Sequence, residues 1–266
     1  RRSMGGIELV VTDLDGTLWD RPGEIHAETL AAWHELERCG VAVIVATGRR
    51  VTSTREPLAE SGLAPPAVVM NGAIGVDLAT GARFHEYVYD PAHAREVLRI
   101  FLSFDLEPCV YVDDTDIEVC IGANPSTHPN HLRFLGARAV TRDLDEVVAN
   151  ERVFMFGTMG HELDRLAPLT TALSPMAIAH AQGDFLSGSS FTVIPRGLSK
   201  WAGVVAYCEH AGLDRARVLA IGDGPNDVEL LTQAAIAVVA EPAHADAVAV
   251  ADHVATGGWG DIVDLV

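Results

Sequence analysis

The stretch Ile7-Glu8-Leu9-Val10-Val11-Thr12-Asp13-Leu14-Asp15-Gly16-Thr17 changes character at residue 13. Its first half is apolar and β-branched, which reads as a buried strand, and its second half is a polar turn where that strand ends. From Glu24 to Cys39 the period becomes helical, with Ala27, Leu30, Ala31, Trp33 and Leu36 on one face. Gly40 then stands where a helix C-terminus favours a left-handed residue. Two more apolar runs follow, Val41 to Ala46 and Ala67 to Met70, and they end in Thr47-Gly48-Arg49 and Asn71-Gly72-Ala73. Strand and helix alternating in this way predict a parallel sheet with right-handed crossovers, an α/β doubly wound, Rossmann-like core. The pattern resumes at Val218 to Ile221, which stops at Gly222-Asp223-Gly224, and continues through Ile236 to Val239 and His253 to Ala255.

Between these halves the texture differs. Short strand candidates (Val110 to Val112, Ile117 to Cys120, Val153 to Phe156) surround amphipathic stretches such as Ala92 to Phe104. This is α+β patterning, and the parallel units on either side are each incomplete alone. Residues 82–192 are therefore expected to form an inserted cap domain, with 1–81 and 193–266 as the two parts of one core. Arg1, Arg2 and Ser3 precede Met4 and are set aside.

The 266 residues are 48% hydrophobic and 21% charged, an ordered globular composition with a formal net charge of -18. That charge argues against nucleic acid or an anionic membrane as partner. A phosphate substrate would need local positive charge from a metal ion and a few cationic side chains. No apolar run is long enough to span a bilayer and no secretion-signal pattern opens the chain, so a cytoplasmic protein is expected, monomeric or a small homo-oligomer. Cys39, Cys109, Cys120 and Cys208 are scattered without a C-x-x-C pair, as reduced and mostly buried thiols would be.

In an open parallel sheet, ligands bind beyond the carboxyl ends of the strands. Four such ends carry Asp13 with Asp15, Thr47, Asn71 and Asp223. Any one of these is an ordinary turn or cap residue; four together point to a site. Asp13 and Asp15, two apart, leave the same face of an extended chain, and Gly16 permits a sharp turn away. Adding Asp223 brings three carboxylates together, each pair at about 4 Å repelling by on the order of 4 kcal/mol at an effective dielectric near 20. A cation must offset this, and hard oxygen ligands favour Mg²⁺. Lys200 opens an apolar-periodic stretch ending at Gly212, so it belongs in a helix's first turn, where the helix dipole disfavours a cation. It is also the only lysine in the chain, the other eighteen basic residues being Arg.

In this order, Asp13-Leu14-Asp15-Gly16-Thr17, Thr47-Gly48-Arg49, Lys200 and Gly222-Asp223-Gly224-Pro225-Asn226-Asp227 resemble the four motifs of the haloacid dehalogenase-like (HAD) superfamily. Asn71-Gly72-Ala73 and the insertion before the lysine resemble its Cof-type phosphatase branch, with a large α/β cap. The resemblance implies a phosphatase for a small phosphorylated metabolite, a sugar phosphate being the first expectation, with the cap closing over the site and selecting the substrate. Asp13 would be the nucleophile, forming an aspartyl-phosphate, and Asp15 the acid and then the base. Thr47 and Lys200 would hold phosphoryl oxygens and nucleophile, and Gly48, Arg49, Asn71, Gly72 and Asn226 would line the phosphate site. Asp13, the Asp15 carbonyl and Asp223 would ligate Mg²⁺, with Asn226 and Asp227 orienting the lysine and the metal's water. Arg49 would pair with a site carboxylate or with the leaving group.

Two other functions remain open at this point: a phosphomutase using the same first motif, and a non-catalytic phospho-ligand binder, which loss of an acid or of the lysine would favour. Gly222-Asp223-Gly224 lacks the third glycine of a dinucleotide fingerprint, Asp227 standing in its place. His128 and His131, flanked by Pro125 and Pro129, read as an exposed loop rather than a metal site, Asp113-Asp114-Thr115-Asp116 as a solvated hairpin turn, and Trp19 as packing or as a surface for stacking substrate.

Overall fold

Runs of buried β-branched residues pair in parallel wherever both faces of a strand are covered, and this sets the architecture. The computed structural model describes residues 6–114, 116–183, 189–255 and 259–266. The first part of the chain supplies β1 (Leu9–Thr12), α1 (Ala27–Arg38), β2 (Ala42–Ala46), α2 (Val51–Glu60), β3 (Pro66–Val69), β4 (Ile74–Asp77) and β5 (Arg83–Glu86). The middle supplies α3 (Pro91–Ser103), β6 (Cys109–Tyr111), β7 (Val119–Ile121), α4 (Pro129–Leu135), β8 (Ala139–Thr141), α5 (Leu144–Asn150), β9 (Met155–His161), α6 (Leu163–Leu173), β10 (Ala177–Gly183) and β11 (Ser189–Pro195). The last part supplies α7 (Lys200–Ala211), β12 (Val218–Gly222), α8 (Val228–Gln233), β13 (Ile236–Ala240), α9 (Ala245–Val248), β14 (His253–Ala255) and α10 (Gly260–Val263).

The chain divides into two compact units, residues 1–86 with 199–266, and residues 87–198. In the first, eight strands run in the order β14-β13-β12-β1-β2-β3-β4-β5. All neighbours from β14 to β3 are parallel. β1 lies at the centre, with Thr12 level with Val45 on one side and Ile221 on the other. One face of the sheet, including Leu9, Val11, Ile44, Val68 and Ala220, packs on Val204 and Cys208 of α7 and Leu230 and Leu231 of α8. α1 packs on β2 and α10, and Trp33 stacks on Trp259 at 6.0 Å between centroids.

The second unit is a six-stranded sheet, β10-β11-β9-β6-β7-β8, mostly antiparallel. Val97, Phe101, Val147, Leu166 and Leu169 from α3, α5 and α6 pack on Val110, Phe156, Phe191 and Val193. The doubly wound core with an α+β insertion is thus the observed class. The division falls at 87 and 198 rather than at 82 and 192. β5 pairs with β4 in the first sheet, and β11 runs to Pro195 in the second.

Two loop expectations need correction. Asp113-Asp114-Thr115-Asp116 does join the antiparallel pair β6 and β7 with Asp114 and Asp116 exposed as expected, but Asp113 is buried, with φ 45°; Thr115 lies outside the described residues. His128 and His131 are not an exposed loop. His128 caps α4 by accepting from the Asn130 N–H, and buried His131 lies 2.9 Å from the Thr127 hydroxyl. Cys109, Cys120 and Cys208 are buried and Cys39 is exposed, and none of the four is in a disulfide. Among the described residues no helix is long and apolar enough to cross a membrane.

Candidate active site

Four adjacent strands, β12, β1, β2 and β3, lie about 4.8 Å apart with their carboxyl ends level, so residues just past those ends are brought together. Asp13 follows β1 directly and is 6% exposed. Its Oδ1 accepts from the Leu14 N–H at 2.7 Å and its Oδ2 lies 2.9 Å from Lys200 Nζ. Lys200 is the first residue of α7, behind Ser199, whose hydroxyl caps the helix by accepting from the Ala202 N–H and donates to Glu229. The lysine side chain is fully buried and also donates to Asp227 Oδ1 at 2.7 Å. Burial alone would push the ammonium towards neutrality, but the charges of Asp13 and Asp227 outweigh it and keep Lys200 protonated.

Asp227 has no side-chain exposure, and its second oxygen accepts from the N–H groups of Asp223 and Gly224, closing the loop after β12. Asp223 accepts from the Thr17 hydroxyl at 2.7 Å. A Cβ at Gly16, where φ is +76°, would lie 2.7 Å from Asp223 Oδ2, so only glycine lets the two turns meet this closely.

Two acids thus share one ammonium, and a third stands beside them. Asp13, Asp223 and Asp227 each present an oxygen within 4.8 Å of the others, and among the described residues this is the one such group of His, Cys, Asp and Glu. Burial first, then the neighbouring carboxylates, push Asp13 well above the usual carboxylate range. Burial likewise pushes Asp223 up to about 6, helped by Asp227 and opposed by the Thr17 hydroxyl and Lys200. The donor set is all hard oxygen, short of positive charge, and fits a Mg²⁺ ion.

The Asp15 carboxylate lies outside this group, contrary to the expected crowding of Asp13, Asp15 and Asp223. After Asp13 the chain turns, and Arg49 grips Asp15 in a two-pronged ion pair, Nε to Oδ2 at 2.5 Å and Nη2 to Oδ1 at 2.6 Å. The choice left open for Arg49 is thereby made: it pairs with a site carboxylate. Trp19 Nε1 donates to Asp15 Oδ1 at 3.0 Å, and at 1% exposure its ring has no face for stacking a substrate.

Buried Thr47 accepts from the Arg49 N–H through its hydroxyl oxygen, leaving the hydroxyl proton to be given elsewhere. Its carbonyl accepts from the Asn71 N–H. Asn71 holds a left-handed conformation at φ 53° and accepts from Asn226 Nδ2 at 2.9 Å, while Asn226 Oδ1 is buried with no partner. Gly48 packs against the Asn71 amide. Gly72 also admits the start of the lysine helix: a Cβ there would lie 2.0 Å from the Ser199 carbonyl. All these residues belong to the first unit. Thr17 and Glu229 were not among the expected site residues, and Trp19 was expected as packing or as a stacking surface, not as a hydrogen-bond donor to Asp15. Thr17 is legible only as part of its turn, and Glu229 carries no sequence signal.

Residues 10–257 match a family model described as haloacid dehalogenase-like hydrolase. A putative phosphatase of Mycoplasma pneumoniae is 25% identical over 240 residues, spanning 84% of this chain and 83% of the relative. An HMP-PP phosphatase of Cronobacter sakazakii is 26% identical over 222 residues, spanning 84% of this chain and 79% of the relative. Among solved structures, a phosphatase of the haloalkanoate (HAD) superfamily from Bacteroides thetaiotaomicron superposes with a TM-score of 0.78 at 19% identity, covering 100% of this chain and 98% of that one, a likeness of fold. Because the family match runs from β1 through β14 and takes in every strand end of the site, this chain belongs to the haloacid dehalogenase-like hydrolases, in their Cof-type branch.

Proposed function

We propose that this protein is a Mg²⁺-dependent phosphatase that hydrolyses a small phosphorylated metabolite through an aspartyl-phosphate on Asp13. The observation that carries the reading is the buried Asp13–Lys200–Asp227 chain, which aims a carboxylate held by an ammonium out of the sheet's carboxyl end. Such a pair keeps the nucleophile fixed and supplies charge where the transition state becomes more negative. The phosphatase names of the two relatives above support the same reaction type.

In the first step an oxygen of Asp13 bonds to phosphorus, the bond to the leaving oxygen breaks, and Asp15 gives that oxygen its proton. Water then attacks the same phosphorus, Asp15 takes the water's proton, and the bond to Asp13 breaks, freeing phosphate and the original carboxylate. Thr47 donates its hydroxyl hydrogen to a phosphoryl oxygen, beside the Gly48 and Asn71 backbone. Asn226 donates its amide N–H to the Asn71 side chain and so ties the loop after β12 to the Asn71 turn. Asp13, Asp223 and Asp227, with the Asp15 carbonyl, would hold Mg²⁺, which supplies the positive charge that lets a carboxylate approach a phosphate.

A panel of phosphorylated metabolites, sugar phosphates first, assayed for released phosphate with Mg²⁺, tests the reading, with Asp13→Asn as blank. The variant is expected to fold and to release no phosphate. Turnover retained by Asp13→Asn would remove Asp13 as nucleophile.

A further inference from the structure

We propose that Trp19 is a positioning residue for proton transfer, fixing the orientation of the Asp15 carboxylate through its indole N–H; this rests on the reading of Asp15 as acid and base. A buried indole N–H needs an acceptor, and the one it has is a carboxylate the reaction uses. The Trp19 backbone is itself tied to the Asp15 turn: Gly16 N–H donates to the Trp19 carbonyl at 3.0 Å and Trp19 N–H to the Leu14 carbonyl at 3.1 Å. Leu14 and Leu18 anchor that turn in the core at 0% and 1% exposure. The donor is therefore rigid relative to the group it holds.

Arg49 contributes differently. It reaches Asp15 from the end of β2 on a long side chain, and its guanidinium lies over the Trp19 ring, 5.5 Å from the centroid. One indole thus serves as hydrogen-bond donor to the carboxylate and as platform for the cation that grips it. Oδ1 carries two donors, Trp19 Nε1 and Arg49 Nη2, and Oδ2 carries one, so without the indole N–H the orientation of the carboxylate depends on the Arg49 fork alone, at the end of a long side chain. Trp19 never touches the reacting atoms in this account; it acts through Asp15.

The test compares two esters of similar shape. Phenyl phosphate needs a proton delivered to its leaving oxygen far more than p-nitrophenyl phosphate, whose leaving group departs as a stable anion. Trp19→Phe keeps a ring in the slot and deletes the N–H. With phenyl phosphate its kcat/KM, which reports the steps up to departure of the leaving group and not the hydrolysis of the shared aspartyl-phosphate, is expected to fall by about tenfold or more; with p-nitrophenyl phosphate the fall in kcat/KM stays below about threefold. Equal losses on both esters, or no loss on either, would overturn the proposal. If Trp19→Phe melts well below wild type, 3-benzothienylalanine at position 19, which keeps the ring's shape without an N–H, is judged by the same criteria. Asp15→Asn run in parallel separates the two claims. Phenyl phosphate turnover retained there removes the acid role itself, whereas loss there with wild-type behaviour of Trp19→Phe removes only the proposal.

Discussion

Replacing Asp223 by Asn should stabilise the metal-free protein while removing its activity. The Asp223 carboxyl is pushed from 3.8 up to about 6, chiefly by burial and by the Asp227 charge. Between those two values the folded chain binds more protons than the unfolded one, so stability falls as pH rises through the window. Below about 3.8 both states are protonated and no penalty exists; above about 6 the full penalty applies, about 3 kcal/mol at most. Asn keeps the oxygen that accepts from Thr17 and carries no charge. Allowing for adjustment in the acidic cluster, the gain at pH 8 in EDTA is about 1–3 kcal/mol, or roughly 3–10 °C in melting temperature. At pH 5 it should shrink to about half. Differential scanning calorimetry at the two pH values measures it, with Mg²⁺ raising the wild-type melting temperature more than the variant's. Activity should fall about 100-fold or more. A variant that melts at or below wild type in EDTA at pH 8, or whose gain ignores pH, would refute the charge-crowding account of this site.

Lys200→Met should do the opposite to stability, because it leaves Asp13 and Asp227 buried without their cation; a loss of about 3–5 kcal/mol is expected in urea denaturation. Adding Asp227→Asn to that variant should recover part of the loss, since one unpaired carboxylate then remains instead of two. Gly72→Ala and Gly62→Ala form a matched pair: both glycines have positive φ, but nothing lies within 4 Å of a Cβ at Gly62, whereas at Gly72 the Ser199 carbonyl would be 2.0 Å away. Gly62→Ala should cost about 1 kcal/mol with full activity, while Gly72→Ala should cost about 3 kcal/mol or more and reduce kcat by displacing the start of the lysine helix.

The core strands were legible because a strand buried on both faces in a parallel sheet is a continuous apolar run. β14 is found at residues 253–255 as expected, and β1, β2, β12 and β13 within two residues at each end. The hairpin β4–β5 was not legible, since Gly75 interrupts its pattern. That glycine is where the Phe84 ring lies, a Cβ there falling 2.2 Å from it, so the reason appears only in the fold. β10, with the sequence Ala-Ile-Ala-His-Ala-Gln-Gly, has little intrinsic strand preference and is held by its pairing with β11. Within the site the residue types were readable, and the resemblance also supplied Asp13 and Asp227 as the partners of Lys200, but the carboxylate that Arg49 takes was not readable. The two-residue spacing of Asp13 and Asp15 suggested a shared face, but the turn at Leu14–Gly16 sends Asp15 to Arg49. Asp227 takes the place in the acidic group, because the short turn Pro225–Asp227 carries it inward beneath Asp223.

The same charge pattern explains how a protein of net charge -18 can take an anionic substrate. Arg49 is spent on Asp15, which leaves Lys200, among the described residues, as the cation facing Asp13, Asp223 and Asp227, a local excess of two negative charges when all are ionised. Each unit pair of like charges at 4 Å opposes binding by on the order of 4 kcal/mol at an effective dielectric near 20, so the metal-free site should reject a phosphate dianion. One divalent cation cancels the excess. Phosphate and Mg²⁺ are therefore expected to bind with strong positive coupling, and by linkage each must raise the other's affinity by the same factor. Isothermal titration with inorganic phosphate, with and without Mg²⁺, and then with Mg²⁺, with and without phosphate, measures both sides of that cycle. Phosphate affinity that is equal in EDTA and in Mg²⁺ would mean that other cationic groups serve the site, and the electrostatic role assigned to the acidic triad would have to be withdrawn.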